Sequence, residues 1–168
     1  EMLREISFYR EPEIEIIIKD ARDNNEKQIA QIKELLAMGI DLLIVSPNEA
    51  QPLTPIVEEV FDKGIPVIVI DRKINSEKFN AYIGADSYSI GREAGKYAIK
   101  LLKGKGKILE VTGLKGSSAA IERSGGFHEI VDQYPGIHVI KCEGAWLHEV
   151  ARKVTDSLFY TLRDIQLV

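Results

Sequence analysis

Hydrophobic positions along the first half of the chain alternate between short continuous runs and longer stretches with helical spacing. Strands are predicted for three continuous apolar runs, at residues 13–20, 40–46 and 65–71. Amphipathic helices are predicted where apolar side chains recur three and four residues apart, at residues 24–38 and 52–63. Asp23 with Glu26 has the spacing of a capping box, and Gly39 and Gly64 are typical helix stops. This half is therefore predicted as consecutive strand–helix units.

The second half repeats the alternation after NAYIGAD at residues 80–86. Helices are predicted at residues 88–103, 117–133 and 147–162, and strands at 107–111, 137–142 and 164–168. The apolar runs are continuous rather than alternating, which is typical of parallel strands covered on both faces. The pattern therefore predicts an α/β fold with doubly wound parallel sheets.

Composition places the 168 residues among ordinary globular proteins, with 45% hydrophobic and 29% charged residues and a net charge of −4. No apolar run approaches the ~20 residues of a membrane helix. Residues 1–84 carry 10 basic and 16 acidic side chains (−6), whereas residues 85–168 carry 12 and 10 (+2). Two lobes would explain this division, and so would ordinary fluctuation in the charge of solvated helix faces.

Candidate chemistry follows the predicted strands, because ligands of open α/β sheets bind beyond the carboxyl ends of the strands. Asp71 and Arg72 combine an acceptor with a multiple donor, which suits sugar hydroxyls, although a local ion pair is an equal reading. Trp146 could stack on a sugar ring or belong to a core. Arg123 precedes Gly125-Gly126, an expensive pair in a helix unless close packing requires it.

Enzyme motifs are not found in the sequence. Residues 113–118 do not match the phosphate-binding loop pattern, and no dinucleotide-binding glycine motif follows a strand. The three histidines, His128, His138 and His148, lack metal-ligand spacing, and the single Cys142 fits a small buried side chain. We therefore expect no catalytic residues, no metal and no cofactor.

Three longer runs strongly resemble the ribose-binding-like periplasmic sugar-binding proteins. They are the Q-I-x-x-L-x-x-G-x-D-x-x-I-V-x-P, G-I-P-V-x-x-x-D-R and G-x-x-x-S-A-A-x-x-R-x-x-G-F patterns, which occur here in the family's order. The resemblance implies a type I binding protein with two lobes that close on a monosaccharide. It divides the chain into an N-terminal lobe at residues 1–84 and part of a C-terminal lobe at 85–168.

The resemblance also implies the ligand-binding residues. Asp71 and Arg72 correspond to the family's sugar-binding Asp-Arg, and Arg123 to the arginine of the third pattern. Trp146 corresponds to an aromatic residue after a later strand. The family's Asn-Pro is Ser-Pro here, so Ser46 or Asn48 is expected to replace the asparagine.

Family members begin one strand earlier and continue beyond the last predicted strand, so the resemblance implies a sequence cut at both ends. Residues 8–53 are most similar to sensor domains of Bacteroides hybrid two-component regulators. The expected role is therefore a periplasmic sugar sensor that contacts no nucleic acid and meets the membrane only through a segment outside this sequence. A free transport protein and a repressor core stay open as alternatives. A homodimer stays open as well.

Overall fold

The computed structural model describes residues 14–162 and 164–168. Within them, helices and strands alternate along most of the chain. In chain order they are α1 (Asn25–Met38), β1 (Leu43–Val45), α2 (Ala50–Asp62), β2 (Val67–Ile70), β3 (Ala81–Ile83), α3 (Ser87–Leu102), β4 (Lys105–Thr112), α4 (Ser118–Val131), β5 (Gly136–Glu143) and α5 (His148–Thr161). None of these helices has the length and apolar composition of a membrane span.

The strands form two separate parallel sheets. The first has the order β1–β2–β3, with Ile44 opposite Ile68 and Ile70 opposite Ile83. The second pairs β4 with β5, and Leu167 makes a parallel bridge to Ile108. The predicted parallel α/β fold is confirmed. The sheets lie on either side of the proposed lobe boundary after residue 84, and the division into lobes stays a prediction.

The core of the first sheet is built from alternating side chains on one of its faces. The buried side chains of β1 and β2 pack against α1 and α2; they are Leu43, Val45, Val67, Val69, Ile32, Leu53, Val57 and Val60. Ile44 lies between two of them and points to the other face, where it is 43% exposed. Burial on both faces was expected, and within the described residues β1 is covered on one face.

Helices α3 and α4 pack with their backbones in direct contact. A Cβ on Gly91 would lie 2.0 Å from the Arg123 carbonyl oxygen, and one on Gly126 would lie 2.1 Å from the Tyr88 carbonyl oxygen. A Cβ on Gly125 would approach nothing closer than 3.4 Å. Close packing therefore explains Gly126 and not its neighbour.

The predicted strand at residues 13–20 is wrong for the described residues 14–20, which have no strand pairing. A strand needs a hydrogen-bonded neighbour, and these residues contact α1 through side chains instead. Lys19 Nζ lies 2.8 Å from Glu34 Oε1, and Gln31 Nε2 donates to the Asp20 carbonyl oxygen. The predicted strand at 164–168 is reduced to the single bridge at Leu167.

Local geometry corrects two further expectations. The N-cap of α1 is Asn24, whose side chain accepts from the Lys27 N–H, whereas Asp23 has a positive φ of 55° and caps nothing. Strand β3 was not predicted, because three residues of mixed type carry almost no periodic signal.

Candidate functional site

Asp71 lies directly after β2 at the carboxyl edge of the first sheet. Its φ is +62°, a left-handed conformation that few residues other than glycine adopt. Two hydrogen bonds hold it there: its N–H donates to the Ile83 carbonyl oxygen at 2.9 Å, and its own carbonyl oxygen accepts from the Tyr82 hydroxyl at 2.9 Å. The carboxylate is 70% exposed, so the fold fixes the backbone and leaves the acceptor oxygens available.

Arg72 turns toward the loop after β1. Its Nη1 donates to the Asn48 carbonyl oxygen at 3.0 Å, and its Nε lies 3.9 Å from Asp71 Oδ2. The structure therefore brings Asp71, Arg72 and Asn48 together. The ion pair with Asp71 is long, which leaves the exposed Asp71 carboxylate available to bind hydroxyls, whereas Arg72 is 20% exposed and already donates to Asn48.

Asn48, whose carbonyl oxygen accepts from Arg72, is itself held firmly in place. It is 6% exposed, its Nδ2 donates to Asn25 Oδ1 at 2.8 Å, and its N–H donates to Gln28 Oε1 at 2.9 Å. Ser46 is exposed, and its carbonyl oxygen accepts from Gln28 Nε2. Gln28 thus ties both candidate residues to α1, a role that the sequence did not indicate.

Arg123 and Trp146 form the second group. The Arg123 guanidinium carbon lies 5.6 Å from the centre of the Trp146 ring, a cation–π arrangement. Arg123 Nε is buried and has no hydrogen-bond partner among the described residues. A buried donor left unpaired costs about 1–3 kcal/mol.

Trp146 owes its position to the turn after β5. Ala145 and Trp146 have positive φ values of 51° and 60°, which swing the indole back toward the end of β4. There a Cβ on Gly113 would lie only 2.0 Å from Trp146 Cζ2, so the ring rests on bare backbone. Trp146 is 48% exposed and offers part of its ring for stacking.

Tyr82 holds the Asp71 backbone through its hydroxyl, and sequence analysis missed it because β3 was not predicted. Burial raises the pKa of its phenol, and the charges of Glu122 and Asp71 raise it further, while those of Lys73 and Arg123 oppose them. The phenol is therefore within range of charged side chains from the loop after β2 and from α4.

An open depression of about 430 Å³ lies beside this region, between the ends of β4 and β5 and the start of α4. None of the six predicted residues lines it. Its wall includes Gly113, Gly116, Ser124, Lys141 and Glu143. It is a separate feature from the two groups described above.

In the described part of the chain, the side chains do not assemble into a recognisable catalytic or metal-binding set. No group of three or more histidine, cysteine or acidic side chains there could hold a metal ion. Cys142 is half-buried, and burial raises the pKa of its thiol. A raised pKa keeps the thiol protonated at neutral pH, in line with the packing role expected from the sequence.

Comparisons with known proteins connect this geometry to one family. The profile of the periplasmic binding protein domain matches residues 9–168. The chain is 35% identical over 121 residues to the ribose import binding protein of Bacillus subtilis, covering 71% of this chain and 39% of that protein. It is 30% identical over 149 residues to the galactofuranose-binding protein of Escherichia coli, covering 86% and 47%.

A solved structure is more similar still. The fructose-binding periplasmic domain of a Bacteroides hybrid two-component system aligns with a TM-score of 0.91 and 47% identity, covering 98% of this chain and 54% of that chain. The chain spans about half the length, or less, of these relatives. With parallel strands in the same type I fold and a profile match over nearly its whole length, this chain belongs to the family of periplasmic binding protein domains.

Proposed function

We propose that this chain forms much of an extracytoplasmic module that binds a monosaccharide and reports it to a hybrid two-component histidine kinase. The proposed ligand is fructose-like or ribose-like. The family consists of ligand binders rather than enzymes, and the sensor role is suggested by the 47% identical fructose-binding domain. The proposed location is the periplasm, with membrane attachment through a segment outside this sequence, and a homodimer stays open.

The observation that carries the proposal is the Arg123 guanidinium against the half-exposed ring of Trp146. A sugar hydroxyl could accept from the terminal N–H groups of Arg123 while the sugar ring lies against the indole. From the other sheet, the exposed Asp71 carboxylate could accept from further hydroxyls, and Arg72 could donate to them. Because the contacts come from both groups, a bound sugar would favour the arrangement in which the two groups lie close together. No bond in the sugar changes.

Isothermal titration calorimetry tests the proposal on the protein encoded by the full gene. The panel contains fructose, ribose, arabinose, galactose and glucose. We expect at least one of them to bind, and Asp71→Ala to weaken that binding by tenfold or more, because loss of a charged partner costs about 2–5 kcal/mol. Asp41→Ala, which removes an exposed carboxylate before β1, is the control. Absence of binding across the panel would overturn the proposal.

A transport role is the second candidate, because the Bacillus subtilis and Escherichia coli relatives are named as ribose import and galactofuranose-binding proteins. Kinase activity separates the two roles. We expect the bound sugar to change autophosphorylation of a histidine in the full-length protein. A full gene that encodes no kinase region would favour transport.

A further inference from the structure

Three hydrogen bonds between described residues connect the part of the chain around the first sheet with the part around the second. None of them is one of the proposed ligand contacts. We call α1, α2 and β1–β3 the first unit, and α3–α5 with β4 and β5 the second unit. The Lys73 N–H donates to Ser118 Oγ at 2.6 Å, and Lys73 Nζ donates to Glu122 Oε1 at 2.8 Å. The Ala50 N–H donates to the Gly116 carbonyl oxygen at 3.1 Å. All three bonds reach the start of α4 or the loop before it.

The partners of Lys73 stand next to the candidate ligand residues on both units. Lys73 follows Asp71 and Arg72 in the loop after β2, and Glu122 immediately precedes Arg123 on α4. Ser118 and Glu122 are four residues apart and therefore share one face of the helix. A change in the distance between the units would break the Lys73 bonds and separate the two ligand groups at the same time.

Lys73 is held more firmly than an ordinary surface lysine. Its side chain is 39% exposed and that of Glu122 is 25% exposed, so the pair is partly shielded from water. The hydrogen bond to Glu122 raises the pKa of Lys73, which keeps the ammonium charged. Lys73 Nζ also lies 5.3 Å from the centre of the Tyr82 ring. Tyr82 in turn donates to the Asp71 carbonyl oxygen.

We propose that Lys73, Ser118 and Glu122 form a latch that stabilises the arrangement in which these bonds join the two units, which we call the closed arrangement, and thereby sets the affinity for the sugar. This inference rests on the proposed function for its ligand. A ligand that needs both units binds with an apparent affinity proportional to the closed fraction of the free protein. The latch residues act on affinity as positioning residues, without touching the sugar.

Binding to the protein encoded by the full gene gives the first test. We expect Lys73→Met and Glu122→Gln each to weaken sugar binding about three- to tenfold, mainly through faster dissociation. The double variant should be little worse than either single variant, and the exchanged pair Lys73→Glu with Glu122→Lys should recover part of the loss. Lys78→Met is the control, because it breaks a pair with Asp62 of the same 2.8 Å length inside the first unit.

Distance measurement gives a second test that needs no sugar. Spin labels at Lys33→Cys and Lys153→Cys, both exposed, report the separation of the units in a Cys142→Ser background. We expect Lys73→Met and Glu122→Gln to broaden the distance distribution and Lys78→Met to leave it unchanged. An unchanged distribution in the latch variants overturns the latch. A shift in a protein that binds no sugar of the panel supports the latch and overturns the proposed function alone.

Discussion

Arg123 is the residue on which ligand binding should depend most. Its Nε is buried and unpaired in the described part of the chain, and its guanidinium lies against Trp146. Arg92 Nε on α3 is likewise buried without a hydrogen bond among the described residues, so this feature alone does not mark a ligand residue. Arg123 as a whole is half-buried and lies against the half-exposed Trp146 ring, so its terminal N–H groups are the donors that a sugar could meet.

Substitution of Arg123 should separate binding from stability. Arg123→Met is expected to weaken sugar binding at least about tenfold, while the free energy of unfolding stays the same or rises, because the unpaired donor is removed. Calorimetry and urea unfolding measure the two effects. Arg152→Met, which removes an exposed arginine from α5, is the control. A variant that loses stability and keeps its affinity would show that Arg123 is structural.

At the scale of elements, α4 carries most of what the site requires. Its first turns present Ser118, Glu122 and Arg123, and its middle packs against α3 through Gly126. Its later part is fastened to β4 by His128, whose Nε2 lies 3.0 Å from Glu110 Oε2. The position of this one helix therefore controls both the candidate ligand residue and the latch.

The two neighbouring glycines of α4 should respond to alanine in opposite ways. Gly126→Ala would force a Cβ against the Tyr88 carbonyl oxygen and should reduce the free energy of unfolding by about 1–3 kcal/mol. Gly125→Ala has room, and alanine favours a helix over glycine by about 1 kcal/mol, so it should be neutral or stabilising. Urea unfolding of both variants checks this. Equal losses would mean that the helices are not in backbone contact.

His128 should make stability depend on pH. Burial lowers the pKa of its imidazole, but hydrogen bonds to Asp132 and Glu110 outweigh burial and raise it above the ordinary 6.5. Lys141, which lies opposite Glu110 on β5, also faces this carboxylate, with its Nζ 4.0 Å from Glu110 Oε2. Because the folded pKa is raised, this stabilisation is complete below pH 6.5 and is lost as the pH rises through the folded value.

Urea unfolding between pH 6 and pH 9 measures this effect. The free energy of unfolding is expected to fall across that range in the natural protein, and His128→Gln should flatten the fall. His138→Gln, which alters another histidine on β5, is the matched control and should leave the slope as it is. An unchanged slope in His128→Gln would show that the pair with Glu110 contributes nothing.

For the whole molecule, the candidate contacts come from two sheets that share no strand pairing in the described residues. Asp71 and Arg72 belong to the first unit and Arg123 and Trp146 to the second. A ligand that touches both would stabilise the closed arrangement by mass action, by about 2.7 kcal/mol when its concentration is a hundred times its dissociation constant.

Hydrogen exchange should therefore reveal protection on both units at once. A bound sugar is expected to slow exchange in peptides covering residues 67–75 and 117–124 together, while a peptide covering 27–38 changes little. Mass spectrometry of the full protein, with and without sugar, makes the comparison. Protection of only residues 67–75, or of only residues 117–124, would mean that the ligand contacts a single unit.

The alternation of apolar runs and helical spacing was enough to predict the parallel α/β fold and, within residues 14–162, the five helices to within one or two residues. These features depend on local periodicity, which a sequence carries directly. The same reasoning failed at residues 14–20, which pair with no strand of the described part of the chain, and at β3, which is too short to show a period. Whether a segment forms a strand depends on a neighbouring strand that the rest of the fold supplies, and the segment's own sequence does not show this.

The sequence by itself determined the fold class and pointed to Asp71, Arg72, Arg123 and Trp146, because their residue types and places after strands carry chemical meaning. Only the tertiary structure decided which of them meet and what holds them. It placed the Asn48 carbonyl oxygen within hydrogen-bond distance of Arg72, and it left Arg123 Nε without a hydrogen bond next to Trp146. It also joined Lys73 of the first unit to Glu122 of the second. Such contacts link residues that are 24, 23 and 49 positions apart in the sequence. The two that involve α4 also depend on the packing of that helix against α3 at Gly91 and Gly126.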